Sequence, residues 1–199
     1  MKRTLVATTL LLTLLAAGPA EAKVLEIWGS AGIGTMFGSG DADSDRDFFN
    51  WAGGGTVGVE VGARVLIFEG YFEYLRFFAG DTGANLASLN LGMGGSIGLG
   101  GGFDLVLRGV GAFYVGSLDG EQAAVGGQAV SSSEVKTRGI GARGGVGLRY
   151  VFARVFSVGV TPQLGYHYFF GGADQPIAEN NSSGYDINLL AYFRIGVGL

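Results

Sequence analysis

Cysteine is absent from this 199-residue chain, histidine occurs once and proline three times. Without cysteine there is no disulfide, no thiolate metal site and no thiol nucleophile. The single histidine, His167, leaves little room for imidazole chemistry. Charged residues make up only 15% of the chain, and the net charge of −4 comes with no basic run, so a nucleic-acid partner is not expected. After residue 22 no apolar stretch is long enough to cross a bilayer as a helix. Any crossing must therefore be made by strands closed into a barrel.

What the chain does have is glycine, 39 residues of it, with no triplet period and therefore no collagen. A disordered linker is excluded as well, because hydrophobic residues reach 48% and alternate regularly with the glycines. Residues 1–22, MKRTLVATTLLLTLLAAGPAEA, carry Lys2 and Arg3, an apolar run from Leu5 to Ala17, and Ala20-Glu21-Ala22. This is the layout of a cleavable signal peptide. Its removal leaves residues 23–199 as one domain, and the loss of Lys2, Arg3 and Glu21 takes the net charge from −4 to −5.

The last stretch, YDINLLAYFRIGVGL, shows how the domain is built. Tyr185, Ile187, Leu189, Ala191, Phe193, Ile195, Val197 and Leu199 fall on one parity, with Asp186, Asn188 and Arg194 between them. Side chains alternate faces in a strand, so this is one long two-faced strand. At about 3.3 Å per residue it is long enough to cross an apolar band of about 25 Å even when tilted. Seven earlier segments repeat the pattern: about Val24 to Phe37, Trp51 to Val65, a third around Phe68 to Tyr74, a fourth through Leu89 to Leu99, a fifth through Phe103 to Val115, a sixth through Ile140 to Tyr150 and a seventh through Phe156 to Tyr168. Long polar connections are expected after the first, third (AGDTGAN), fifth (about Ser117 to Lys136) and seventh strands, and short ones after the second, fourth and sixth. The expected fold is all-β, an eight-stranded antiparallel up-and-down transmembrane β-barrel behind a signal peptide.

The polarity of the two faces decides which is outside. The less apolar face is rich in glycine and its charges, Glu26, Glu60, Arg64, Glu69, Glu73, Asp104, Arg108, Arg143, Arg149, Asp186 and Arg194, are mixed in sign, too few for a soluble exterior but suited to a narrow lumen where carboxylates and guanidiniums pair. The apolar face, with Phe68, Phe72, Tyr74, Phe113, Tyr150, Phe156, Tyr166 and Tyr168, suits lipid and its interfacial aromatic girdles. With this pattern and the closing AYFRIGVGL, the chain resembles the small outer-membrane β-barrel proteins of Gram-negative bacteria, the group of the OmpA transmembrane domain, OmpX and OmpW. The resemblance implies an outer-membrane location, contact with outer-membrane lipid and lipopolysaccharide, and recognition of the last strand by the barrel-assembly machinery. Leu199 stands where that family usually ends on Phe.

The candidate site is the lumen. Glu60, Glu69 and Glu73 on the second and third strands have only Arg64 as a cation nearby in sequence, whereas Arg108, Arg143, Arg149 and Arg194 project inward from the fifth, sixth and eighth strands, with Asp186 also inward. A cross-barrel ion-pair network of these nine residues is expected. His167 points inward with no serine obviously beside it, which favours a hydrogen-bonding role over catalysis. DADSDRD, Asp41 to Asp47, begins like a calcium loop but has Arg46 in the glycine position and Ala52 in the glutamate position. GMGGSIGLGGG contains dinucleotide-like spacings with no helix to follow, and the sequons at Asn180 and Asn181 are chance occurrences in a bacterial host. No cofactor and no metal are expected. The expected function is that of a non-enzymatic, monomeric envelope protein with a side-chain-filled lumen, acting in envelope integrity or surface contact. The alternative is a channel for small apolar molecules with lateral exit, motivated by Trp28, Tyr114 and Phe169 on the inward parity.

Overall fold

The computed structural model describes residues 24–40, 54–79, 82–119, 123–125, 128–130, 136–153, 155–170 and 182–198. The expected signal peptide, the Asp41 to Asp47 run, the two sequons and Leu199 lie outside the described residues. Among the described residues ten strands occur in order: β1 (Leu25–Gly40), β2 (Gly54–Val65), β3 (Phe68–Ala79), β4 (Thr82–Gly100), β5 (Phe103–Asp119), β6 (Ala123–Val125), β7 (Gln128–Val130), β8 (Lys136–Ala153), β9 (Phe156–Phe170) and β10 (Ser182–Gly198). Eight of them close a barrel in the order β1-β10-β9-β8-β5-β4-β3-β2, with antiparallel neighbours throughout. β10 closes the seam against β1 from Glu26↔Gly198 to Gly40↔Gly184.

Alternation along each strand becomes alternation of burial. On β10, Tyr185, Ile187, Leu189 and Val197 are exposed, while Asp186, Asn188 and Arg194 are buried. The polarity is inverted relative to a water-soluble barrel: large apolar side chains cover the outside and charged groups fill the inside. An exterior of this kind is stable in hydrocarbon, and closure leaves no unpaired strand edge there.

Tight turns join the barrel strands at one end. Gly100, Gly101 and Gly102 all adopt positive φ, a conformation that side chains rarely accept. The turn at residues 66–67 does without glycine and places Leu66 in the left-handed region at φ 57°. Two connections at the opposite, loop end differ from expectation. β4 begins at Thr82, so residues 80–81 alone join β3 to β4, and most of AGDTGAN is strand. Composition alone reads this stretch as a loop, whereas pairing with β3 makes it strand. The stretch from Ser117 to Lys136 is likewise not a plain loop: β5 continues to Asp119, and β6 and β7 pair as a small hairpin.

The lumen is not uniformly polar. Near the loop end Met36, Leu75, Phe77, Ala84, Leu86, Ala112, Tyr114 and Phe169 form an apolar cluster. Below it Trp28, Tyr71 and Val110 form a second one. The first caps the charged interior from the loop side.

Candidate functional site: an ion-pair stack in the lumen

The inward positions of six strands supply the charges, and the barrel register sorts them into three tiers from the turn end upward. In the first, Arg64 on β2 faces Glu26 on β1 directly in register. Its Nη2 donates to Glu26 Oε2 at 2.5 Å. Arg149 reaches the same carboxylate from β8, with Nη1 to Oε1 at 3.2 Å, and binds Asp104 Oδ2 through Nη2 at 2.7 Å. Ser96 Oγ accepts a further bond from Arg149.

The second tier is centred on Glu60. It accepts from Trp28 Nε1 at 2.5 Å, from Arg108 Nη1 at 2.8 Å and from Arg194 Nη2 at 3.1 Å. Arg108 Nε also lies 2.7 Å from Glu69 Oε1, close enough for an ion pair although the two groups are not aligned as a hydrogen bond. Arg108 lies over the Tyr71 ring at 4.3 Å, and Arg194 over Trp28 at 4.8 Å. Ring faces thus contact the guanidinium planes where no carboxylate does.

In the third tier Arg143 Nη1 donates to Glu73 Oε2 at 2.7 Å, and its Nε lies 3.4 Å from Asp186 Oδ2. The other Asp186 oxygen is 3.4 Å from His167 Nδ1. Ser88 Oγ donates to Glu73, and Asn90 Nδ2 to Ser88. Arg143 also stacks over Tyr114, a member of the apolar cap, at 5.1 Å.

The tiers answer an electrostatic problem set by the register. Glu60 and Glu73 are direct cross-strand partners on β2 and β3, a like-charge pair that would be destabilising alone. Different arginines, Arg108 and Arg143, take them from across the barrel. An ion without a partner in so dry a space would carry a desolvation penalty of several kcal/mol.

The structure places Glu60, Arg64, Glu69, Glu73, Arg108, Arg143, Arg149, Asp186 and Arg194 within this arrangement, with partners that differ from expectation. Arg64 and Arg149 serve Glu26 and Asp104 rather than the glutamates of β2 and β3. Glu26 and Asp104 stand on the inward parity and were legible as such; their place in the network was missed, as was that of His167. Trp28, Tyr114 and Phe169 do not line an open slot. Trp28 is bound to Glu60, and Tyr114 and Phe169 pack together with centroids 6.0 Å apart. Cavities bordering the lower tiers measure about 20 and 10 Å³, on the order of a single water.

His167 has a closer polar setting than the sequence suggested. Its register partner on β10 is Gly184, flanked on the inward face by Asp186 and by Ser182. All three side chains are buried, and the His167 ring lies 5.3 Å from that of Phe169. Among the described residues no group of three or more His, Asp or Glu side chains could hold a metal ion.

No protein-family model matches the chain, and no curated protein sequence does. Solved structures do resemble it. Neisserial surface protein A (NspA) superposes with a TM-score of 0.57 at 14% identity, over 85% of this chain and 96% of that one. The N-terminal β-barrel domain of Pseudomonas aeruginosa OprF follows at 0.45 and 15%, over 87% and 98%. The outer membrane enzyme PagL follows at 0.38 and 17%, over 85% and 98%. The NspA likeness bears on the fold alone. The chain has the fold of a small eight-stranded outer-membrane barrel.

Proposed function

We propose that the protein resides in the outer membrane as a closed, non-conducting and non-enzymatic barrel, acting in envelope integrity or in surface contact through its loop end. One observation carries this reading: among the described residues, three tiers of paired charges and an apolar cap occupy the lumen. An eight-stranded barrel has an interior just wide enough for side chains, and here they occupy it. Lipid and lipopolysaccharide would surround the wall. The assembly machinery would read β10, whose alternation persists through Val197. A monomer suffices for the closed lumen. The only histidine is sealed beneath Phe169 and Tyr114, which supports a structural role for it.

Passage of apolar molecules is less well supported. An apolar groove of about 680 Å³ exists, bordered by Ile33, Val57, Leu148, Val160, Ala191 and Phe193, but these side chains face outward. Planar-bilayer recording of the mature protein tests the proposal. No steady conductance is expected; a large, sustained one would overturn the filled-lumen reading. Unchanged lipid A and phospholipid profiles on overexpression are expected, and an altered profile would show an enzyme.

A further inference from the structure

Every carboxylate whose side chain is described, Glu26, Glu60, Glu69, Glu73, Asp104 and Asp186, points into the lumen. Two arginines do not. Arg76 on β3 and Arg138 on β8 stand on the outward parity, between exposed neighbours on the same face: Tyr74 and Phe78 for Arg76, and Ile140 for Arg138. A cation on the lipid-facing wall is costly at mid-membrane and nearly free of cost at the interface. Both lie near the loop ends of their strands, so they mark the loop-side interface.

The wall between them is built as a polar strip. Register places Arg76 opposite Asn85 on β4 and Asn85 opposite Ser117 on β5, and Arg138 on β8 stands opposite Val115, two residues below Ser117 on β5. Side chains join across these strands. Tyr74 Oη and Arg76 Nη1 both donate to Asn85 Oδ1, at 2.7 and 2.8 Å, while Asn85 Nδ2 lies 3.5 Å from Ser117 Oγ. The Arg76 side chain is thereby laid along the outside of the wall instead of extending freely toward water. Asp119 lies two residues beyond Ser117, toward the loops.

The rest of the rim differs. On β9 and β10 the outward residues near the loop end are aromatic except Ser183: Tyr166 packs edge-on against Tyr185, and Tyr168 against Phe170. Described outward side chains at the turn end, such as Leu66, Ile67, Phe103 and Phe152, are apolar, with Lys23 and Arg154 outside the described residues. Among the described residues the cationic strip is thus confined to β3, β4, β5 and β8 at one membrane interface.

We infer that this strip binds phosphorylated, anionic lipid headgroups of the loop-side leaflet. The chemistry follows from the groups present: guanidiniums fit phosphate oxygens bidentately, and the Asn85, Ser117 and Tyr74 side chains provide polar surface beside them. The strip is continuous with the apolar band below, so a lipid can seat its chains on Leu89, Leu91 and Phe113 while its headgroup meets the arginines. The inference rests on the outer-membrane reading, and the following test separates the two.

The refolded protein is reconstituted into liposomes containing spin-labelled phosphatidylglycerol or phosphatidylcholine, and the motionally restricted fraction at the protein surface is measured by electron paramagnetic resonance. The wild type should select phosphatidylglycerol by about fivefold for each arginine engaged, less at high salt. The Arg76→Gln/Arg138→Gln variant should restrict both lipids equally, and Arg138→Gln alone should lose part of the preference. Because both positions are outside the lumen, circular dichroism should show the same strand content. Equal restriction by the wild type, or a preference untouched in the double variant, overturns the inference. So does loss of the preference to excess inorganic phosphate with lipid chains still restricted, which reassigns the strip to soluble phosphate. If neither lipid is restricted at all, the membrane reading itself fails.

Discussion

Arg143 is the residue on which the third tier depends. It is 3% exposed and is the guanidinium placed between Glu73 and Asp186. Arg143→Ala leaves both carboxylates in a dry interior, and we expect a loss of about 3–5 kcal/mol in urea unfolding followed by tryptophan fluorescence. Adding Glu73→Gln should recover part of that loss; a single variant within about 1 kcal/mol of wild type would mean that the pair adds no net stability. Such residue-level detail was only half legible. Inward parity identified the charges, including Glu26 and Asp104, because alternation is local. Pairing was not, because it depends on register between distant strands. Arg64 lies directly between Glu26 on β1 and Glu69 on β3, and a single sequence does not say which it closes on. The structure answers Glu26, and Glu69 turns to Arg108.

Among the elements, the turn at residues 66–67 and strand β2 offer opposite tests. Leu66 holds a left-handed conformation that costs about 1–2 kcal/mol for an ordinary side chain, so Leu66→Asn should raise the unfolding midpoint by about 1 kcal/mol in stability. An unchanged or lowered midpoint would mean that the apolar side chain offsets the strain. On β2, a Cβ at Gly62 would meet Trp28 Cζ2 and Tyr71 Cβ at 2.6 Å and the Gly70 carbonyl oxygen at 2.9 Å. Gly62→Ala should therefore destabilise by about 1–3 kcal/mol and, because Trp28 must shift, alter its fluorescence. Wild-type stability and emission together would contradict the close packing. Strand existence and facing were legible because alternation runs over a dozen residues or more. Boundaries were not: Thr82 and Asn85 resemble loop residues in composition, and what makes them strand is pairing with β3, with Asn85 accepting from Tyr74 and Arg76. The β6–β7 hairpin lies within a stretch whose polar composition reads as loop.

For the whole molecule, the up-and-down order was readable because neighbours in sequence are neighbours in the barrel. The apolar cap was not, since Leu75, Phe77, Ala84 and Leu86 fall on the parity read as polar. The tiers also bear on how the molecule is assembled. Glu26 is joined to Arg149 across 123 residues of chain, and Glu60 to Arg194 across 134. Contacts so remote form late, after the loop entropy between them has been lost. Arg194 belongs to β10, the strand that closes the seam, so until that strand docks the second tier holds two carboxylates against one guanidinium. The same strand brings Asp186, so its docking adds a guanidinium to the second tier and a carboxylate to the third. An intermediate halted before its last strand would leave Glu60 and Glu69 to share Arg108, so the pairing that completes this tier also discriminates a finished barrel from an unfinished one.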